Sequence, residues 1–256
     1  MKNLQGQKGF TLVELAIVLT IIGLLIGGIL KGQQLIANAR VTAQISQAQA
    51  VTAAITSFVD TYQGLPGDLN NATLRIANCT GAGYCGNGLG IGVIGTVNPS
   101  TYALQPTGTA TQTNAGVIPV VALSDVGDAF TMLANANLIS GVNTNSATAT
   151  SASWGSALPA AKINSASGLV MATGADGYVY ITILTKAGAA VAAAAGSNSM
   201  TAGQAAQIDR KMDDGAPSTG SVVGQGFITN CGTSATGYVE SSTTGNDCGL
   251  NIRVQQ

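Results

Sequence analysis

Apolar residues run almost unbroken from Phe10 to Leu30, and Glu14 is the only formal charge among them. About twenty residues of helix reach across a bilayer. No proline interrupts the chain before about Tyr62, and Ala, Gln, Leu and Ile predominate. The pattern therefore predicts one continuous helix roughly 80 Å long. Past Lys31 the pattern turns amphipathic. Ala48, Val51, Ile55, Phe58 and Tyr62 recur at steps of three and four, a stripe that can lie against a sheet. Gln44, Gln47 and Gln49 are expected to keep the other faces polar. Gly23, Gly27, Gly28 and Gly32 each cost up to about 1 kcal/mol in a soluble helix. They either permit close helix packing in a membrane or filament core or mark a point where the helix loosens. Gly64-Leu65-Pro66-Gly67-Asp68 ends the helix, with Gly64 as the expected cap.

Shorter elements follow. Ser124 caps a predicted helix through about Leu138, with Val126, Phe130 and Leu133 on one face and Gly141 beyond its end. Residues 168–173 and 178–184 read as two strands joined by a turn at 174–177. Tyr178, Tyr180 and Thr182 alternate with Val179, Ile181 and Ile183, the pattern of a half-buried sheet. Thr201 and Gln204 make a capping-box pattern for a second helix, whose stripe is Ala205, Ile208 and Met212 and whose stop is Gly215 and Pro217. Short strands near Val222, Phe227 to Thr229 and Leu250 to Val254 complete a sheet. Residues 98–114 and 143–156, rich in Thr, Ala, Asn and Ser, read as loops or edge strands. The expected fold class is α+β: a long N-terminal helix packed on an antiparallel head, with extra short helices and long loops. Its divisions are 1–9, 10–30, 31–62 and one globular head at 63–256.

Composition narrows the chemistry. Charged residues make up 8% of the chain, and the net charge is −1. Loss of Lys2 and Lys8 with residues 1–9 would bring it to about −3, which argues against a nucleic-acid face. There is no histidine. Ser-His-Asp and Cys-His catalysis are thereby excluded, the commonest zinc ligand is missing, and no enzyme is expected. The four cysteines, Cys79, Cys85, Cys231 and Cys248, allow three connectivities, of which local pairing is the simplest. Behind a membrane-targeting segment, an even count points to disulfides made in an oxidising compartment, against the alternative of four buried thiols. The run Gly86-Asn87-Gly88-Leu89-Gly90 lacks the Lys-Ser/Thr of a phosphate loop and reads as a glycine-rich turn.

A carboxylate in hydrocarbon costs about 3 kcal/mol at mid-bilayer, so Glu14 demands a partner. Cleavage after Gly9 would place a new amino group on Phe10, four residues before Glu14 and on the same helical face. An uncleaved signal anchor is the alternative. The run Lys8-Gly9-Phe10-Thr11-Leu12-Val13-Glu14 resembles the prepilin signature of the type IV pilin superfamily, which includes type II secretion pseudopilins. The resemblance covers about the first sixty residues. It implies that a prepilin peptidase cuts after Gly9 and methylates Phe10, and that Glu14 then pairs with a neighbouring subunit's amino terminus. It implies the pilin roll as the fold, and copies of the chain itself, an assembly platform and a motor ATPase as partners. The precursor would sit in the inner membrane with its head in the periplasm, ending in an extracellular pilus or a periplasmic pseudopilus. Many members of the superfamily carry a proline near the position of Lys31, and this chain does not.

Asp209, Asp213 and Asp214 lie near a predicted helix C-terminus, where the dipole disfavours negative charge. Calcium would compensate through oxygen ligands. Arg210 and Lys211, or an early helix end, would serve as well. No other cofactor is expected. The resemblance implies that the Cys231–Cys248 loop forms a variable outer surface of the fiber; read on its own residues it is a staple for the last strand, and both can hold. The competing functions are a pilus subunit, a pseudopilin or minor pilin, and a membrane-anchored adhesin that never polymerises.

Overall fold

A computed structural model describes residues 11–79, 85–95, 125–143, 154–174, 176–185, 198–226, 231–233, 237–241 and 245–254. The chain forms two compact units, Met1–Arg40 and Val41–Gln256. The long helix α1, Leu12–Tyr62, supplies residues to both.

In the first unit, α1 is apolar on every side. Leu, Ile and Val residues from Leu12 to Ile36 are all exposed, and no residue of its most apolar window is buried. Such a surface is stable only against lipid or other apolar helices. Among the described residues, α1 is the one helix long and apolar enough to cross a membrane. The Thr20 hydroxyl donates to the Ile17 carbonyl at 2.8 Å, which satisfies it without water. The helix runs unbroken through Gly23, Gly27, Gly28 and Gly32, and a methyl group at any of them would meet nothing within 4 Å.

In the second unit, α1 buries Val41, Ile45, Ala48, Val51, Ala54, Ile55 and Phe58, the stripe predicted from periodicity with its start moved back to Val41. Gln44 departs from expectation. It lies inside the stripe, fully buried, because its carbonyl accepts the Ile163 amide at 3.1 Å. Gln47 repeats the device one turn on, donating to the Ala160 carbonyl at 2.9 Å and accepting from the Lys162 amide at 3.2 Å. Two glutamines thus clamp the 160–163 segment to the helix. At the far end the left-handed residue is Gln63, with φ 54°, rather than Gly64. Gly64 is needed for space instead: a Cβ there would come within 2.9 Å of Leu69 Cδ1.

The central sheet has the order β1-β2-β6-β3, antiparallel throughout, with β1 Gly168–Thr173, β2 Val179–Leu184, β3 Val222–Gly226 and β6 Cys248–Arg253. Two residues each from β4, Gly232–Thr233, and β5, Gly237–Tyr238, form a separate ribbon. Register places Met171, Ile181, Ile252 and Val222 in one row across four strands, and all four are buried. The expectation of a half-buried sheet fails here. Val170, Tyr180 and Thr182 on the opposite face are also buried, and the Thr182 hydroxyl reaches Asn251 Oδ1 at 2.8 Å. Only Tyr178, at the turn, stays half exposed, with the Arg253 guanidinium 4.8 Å from its ring.

Three short helices complete the described head: α2 Ala72–Arg75, α3 Asp125–Asn135 and α4 Ala202–Met212. Helix α3 packs on β1, and α4 packs on β3, β5 and β6. It ends three residues before the predicted Leu138, because Asn137 turns left-handed (φ 59°) and the Leu138 amide returns to the Leu133 carbonyl at 3.0 Å. Helix α4 starts with the predicted capping box between Thr201 and Gln204. The segments 98–114 and Phe227 to Thr229 lie outside the described residues, as does most of 143–156. Disulfides join Cys79 to Cys85 and Cys231 to Cys248. The second fixes the start of β6, whose Cys248 also exchanges two backbone hydrogen bonds with Met200 at 2.9 Å.

Gln44→Ala is expected to destabilise the head by about 1–2 kcal/mol, since the Ile163 amide loses its acceptor; the loss is moderated because Gln44 Nε2 is itself unpartnered. Gln49→Ala, at an exposed position on the same helix, should stay within about 0.5 kcal/mol of wild type. Denaturant titration of the two variants side by side measures the difference.

Candidate functional site

The first described turn of α1 contains a reciprocal pair. The Thr11 amide and hydroxyl both donate to Glu14 Oε2 at 2.8 Å, and the Glu14 amide donates back to the Thr11 hydroxyl at 3.3 Å. The Leu15 amide reaches the Thr11 carbonyl at 3.3 Å, so the helix opens on Thr11 as its cap, with Glu14 at the third helical position. This is a capping box. A Thr-x-x-Glu spacing before an apolar run announces it in the sequence, but attention to the charge alone passes over it. Negative charge in a first helical turn is also favoured by the helix dipole. Within its own chain, then, Glu14 already holds two donors before any other subunit arrives. Gly9 and Phe10 lie outside the described residues.

Residues 4–30 match the family described as the prokaryotic N-terminal methylation motif. That motif marks a class III signal sequence of the type IV pilin and pseudopilin kind, and it supports a type IV pilin-like or pseudopilin precursor. The motif points to a structural subunit, processed by prepilin peptidase and assembled into filaments. With the apolar α1 it fits a membrane-anchored precursor. No curated protein and no solved structure matches the chain.

The acidic cluster at the end of α4 is brought together as the sequence indicated. Carboxylate oxygens of Asp209, Asp213 and Asp214 lie within 4.8 Å of one another. Each already accepts hydrogen bonds from nearby groups. Asp209 is buried and receives the Tyr238 hydroxyl at 2.8 Å and the Gly215 amide at 3.1 Å. Asp213 receives the amides of Ser221 and Val222, the latter at 3.1 Å. Asp214 receives the Ala216 amide at 2.9 Å and the Thr219 hydroxyl at 2.5 Å. The helix ends at Met212, so Asp213 and Asp214 stand past the last helical residue, outside its row of carbonyls. Arg210 turns away to an ion pair with Glu240. The geometry thus supports a clamp between the end of α4 and the start of β3. A calcium ion held by Asp209, Asp213 and Asp214 would have to share carboxylates already engaged by the backbone.

Burial pushes the Asp209 carboxyl up to about 6, with the Tyr238 hydroxyl and the Gly215 amide pulling against it. The folded chain therefore holds this proton more tightly than the unfolded chain, whose ordinary value is 3.8. Stability from this group is greatest below about pH 4 and declines as pH rises through 6. Asp209→Asn keeps an acceptor for Gly215 and a partner for Tyr238 without the charge. The variant is expected to gain on wild type between pH 4 and 6, by about 1–2 kcal/mol after allowance for screening, and to hold that gain above pH 6. Melting curves of both proteins across that range give the difference directly.

Proposed function

We propose that the chain is the structural subunit of a type IV pilus or a closely related filament. Cleavage after Gly9 frees the amino group of Phe10 for methylation, and polymerisation proceeds through the apolar face of α1. The observation that carries this reading is the methylation motif at residues 4–30, with Glu14 set into a helix that is otherwise uncharged to Leu30. An isolated intramembrane acid is kept where it has a task. In the precursor its task is the cap shared with Thr11. After cleavage, the amino group of Phe10 would be the cation that the same carboxylate pairs with in an adjoining copy. An ammonium–carboxylate pair in an apolar filament core is far stronger than the same pair in water. Two disulfides and a Thr- and Ser-rich head suit a fiber exposed outside the cell.

Glu14→Gln separates the two tasks, because glutamine also serves at the third position of a capping box. The variant is expected to insert and be cleaved normally, while filament yield falls by about tenfold or more, the equivalent of losing roughly 1.4 kcal/mol per contact. Mass spectrometry of the mature amino terminus should show a chain beginning at methylated Phe10. A mature chain beginning at Met1, or Glu14→Gln subunits entering filaments at the normal rate, would contradict the reading. Retention inside the cell together with loss of protein secretion on deletion would indicate a pseudopilus instead.

A further inference from the structure

The glycine-rich run after Cys85 contains the chain's one Asn-Gly pair, Asn87-Gly88. Such a pair is chemically unstable in a free chain, because a residue without a side chain lets its nitrogen swing onto the asparagine ahead of it. The Gly88 nitrogen loses its proton to hydroxide and attacks Asn87 Cγ. A new N–C bond closes a succinimide ring, the Cγ–Nδ2 bond breaks, and Nδ2 leaves as ammonia after taking a proton from water. Water then opens the ring at either carbonyl, leaving aspartate or isoaspartate at position 87. The sum is one water consumed and one ammonia released.

The fold ties up both reacting groups. The Gly88 amide donates to the Leu69 carbonyl at 2.9 Å, so the attacking nitrogen keeps its proton. Asn87 sits at an exposed position, yet its Oδ1 accepts the Thr73 amide at 2.9 Å and the Thr73 hydroxyl at 3.0 Å, which pins the side chain to α2. The main chain on either side is held too. The buried Asp128 carboxylate accepts the Gly86 amide at 3.0 Å, and the Gly90 amide donates to the Asp68 carbonyl at 2.7 Å. Gly88 itself has no room to shift inward, since a Cβ there would meet the Gly67 carbonyl oxygen at 2.3 Å.

We propose that Asn87 is a deamidation site gated by local opening of the 86–90 run, with the Thr73 hydroxyl as the positioning group that keeps the gate shut. The bonds that close it are few and lie at the surface, so opening requires no unfolding of the core. The two products differ in consequence. Aspartate at 87 accepts from the Thr73 amide and hydroxyl as asparagine does, through stronger charge-assisted bonds, and keeps the clasp. Isoaspartate lengthens the main chain by one carbon where Gly88 lies against the Gly67–Asp68 backbone, so the run cannot close again. Either product adds one negative charge to a chain whose net charge is −1. The reaction is independent of the filament reading.

The full chain in detergent is incubated in warm, mildly alkaline buffer with and without urea, and peptide mass spectrometry follows the change from amide to acid at 87, with fragmentation to separate isoaspartate from aspartate. Wild type is expected to convert about tenfold or more faster in urea than folded. Folded Thr73→Val should convert about fivefold faster than folded wild type, the effect of one net hydrogen bond on the opening equilibrium. In urea the two should be equal. Thr73→Ser, which keeps the hydroxyl, should match wild type throughout. Asn164, which precedes Ser165 and accepts the Ala166 amide at 3.0 Å, is the internal control and should be unmoved by either variant. Conversion of folded wild type as fast as in urea would overturn the gate, and no conversion at Asn87 in urea would overturn the site. Folded Thr73→Val converting at the wild-type rate, or Thr73→Ser converting as fast as Thr73→Val, would overturn the role of the Thr73 hydroxyl. A rise at Asn164 in step with Asn87 would overturn local gating, because Thr73 would then act on the whole head.

Discussion

A carboxylate that cannot find a cation must be met by hydrogen-bond donors, and with charged residues at 8% of the chain, cations are scarce. Backbone amides take their place. Asp68 gathers Ile91 and Gly92, Asp128 gathers Gly86, Asp213 gathers Ser221 and Val222, and Asp176 turns the β1–β2 hairpin by accepting the Tyr178 amide at 3.2 Å. One ion pair, Arg210–Glu240, occurs among the described residues, and it is exposed on both sides. Charge-assisted bonds to amides are stronger than neutral ones and leave no second charge to desolvate. They also need short, local geometry: Asp68, Asp176 and Asp213 sit in or beside turns, and Asp128 lies in the first turn of α3.

That economy explains which parts of the fold were legible. Period and caps predicted α1, α4 and the β1–β2 hairpin almost to the residue, because each is fixed by its own local chemistry: no proline, a Thr-x-x-Gln box, a turn at 174–177. Gln44 was misplaced for the opposite reason. A glutamine on a polar-looking face becomes core only when a distant segment, 160–163, brings it an amide. The sheet's second buried face was hidden likewise, since alternation reports residue type and not what covers it.

At the functional end, Glu14 carries both a charge, evident from the apolar run around it, and a cap with Thr11 that the charge overshadows. The two readings converge when the chemistry is followed in order. Without Thr11, the precursor would expose an unpaired carboxylate to hydrocarbon before processing; with it, the acid waits in a neutralising but exchangeable pair of hydrogen bonds. The acid at 209 behaves differently. It is held by Tyr238 and Gly215, whose own side chain or backbone is fixed within the head, so nothing competes for it. Local exchangeability, not the number of acids, separates the proposed assembly role of Glu14 from the structural clamp at Asp209.

The glycines divide on the same principle of what their missing side chain leaves room for. At Gly88 the space is filled by the chain's own backbone, and an alanine there would have to displace a carbonyl oxygen 2.3 Å away. At Gly23, Gly27, Gly28 and Gly32 the space is empty in the single chain. Four such absences on a helix cost stability that an isolated subunit does not recover. Close approach of a second helix recovers it through dispersion contacts that a larger side chain would prevent. The first kind of glycine shapes the head, and the second gains a role only under the filament reading proposed above, which the exposed apolar surface of α1 also suits.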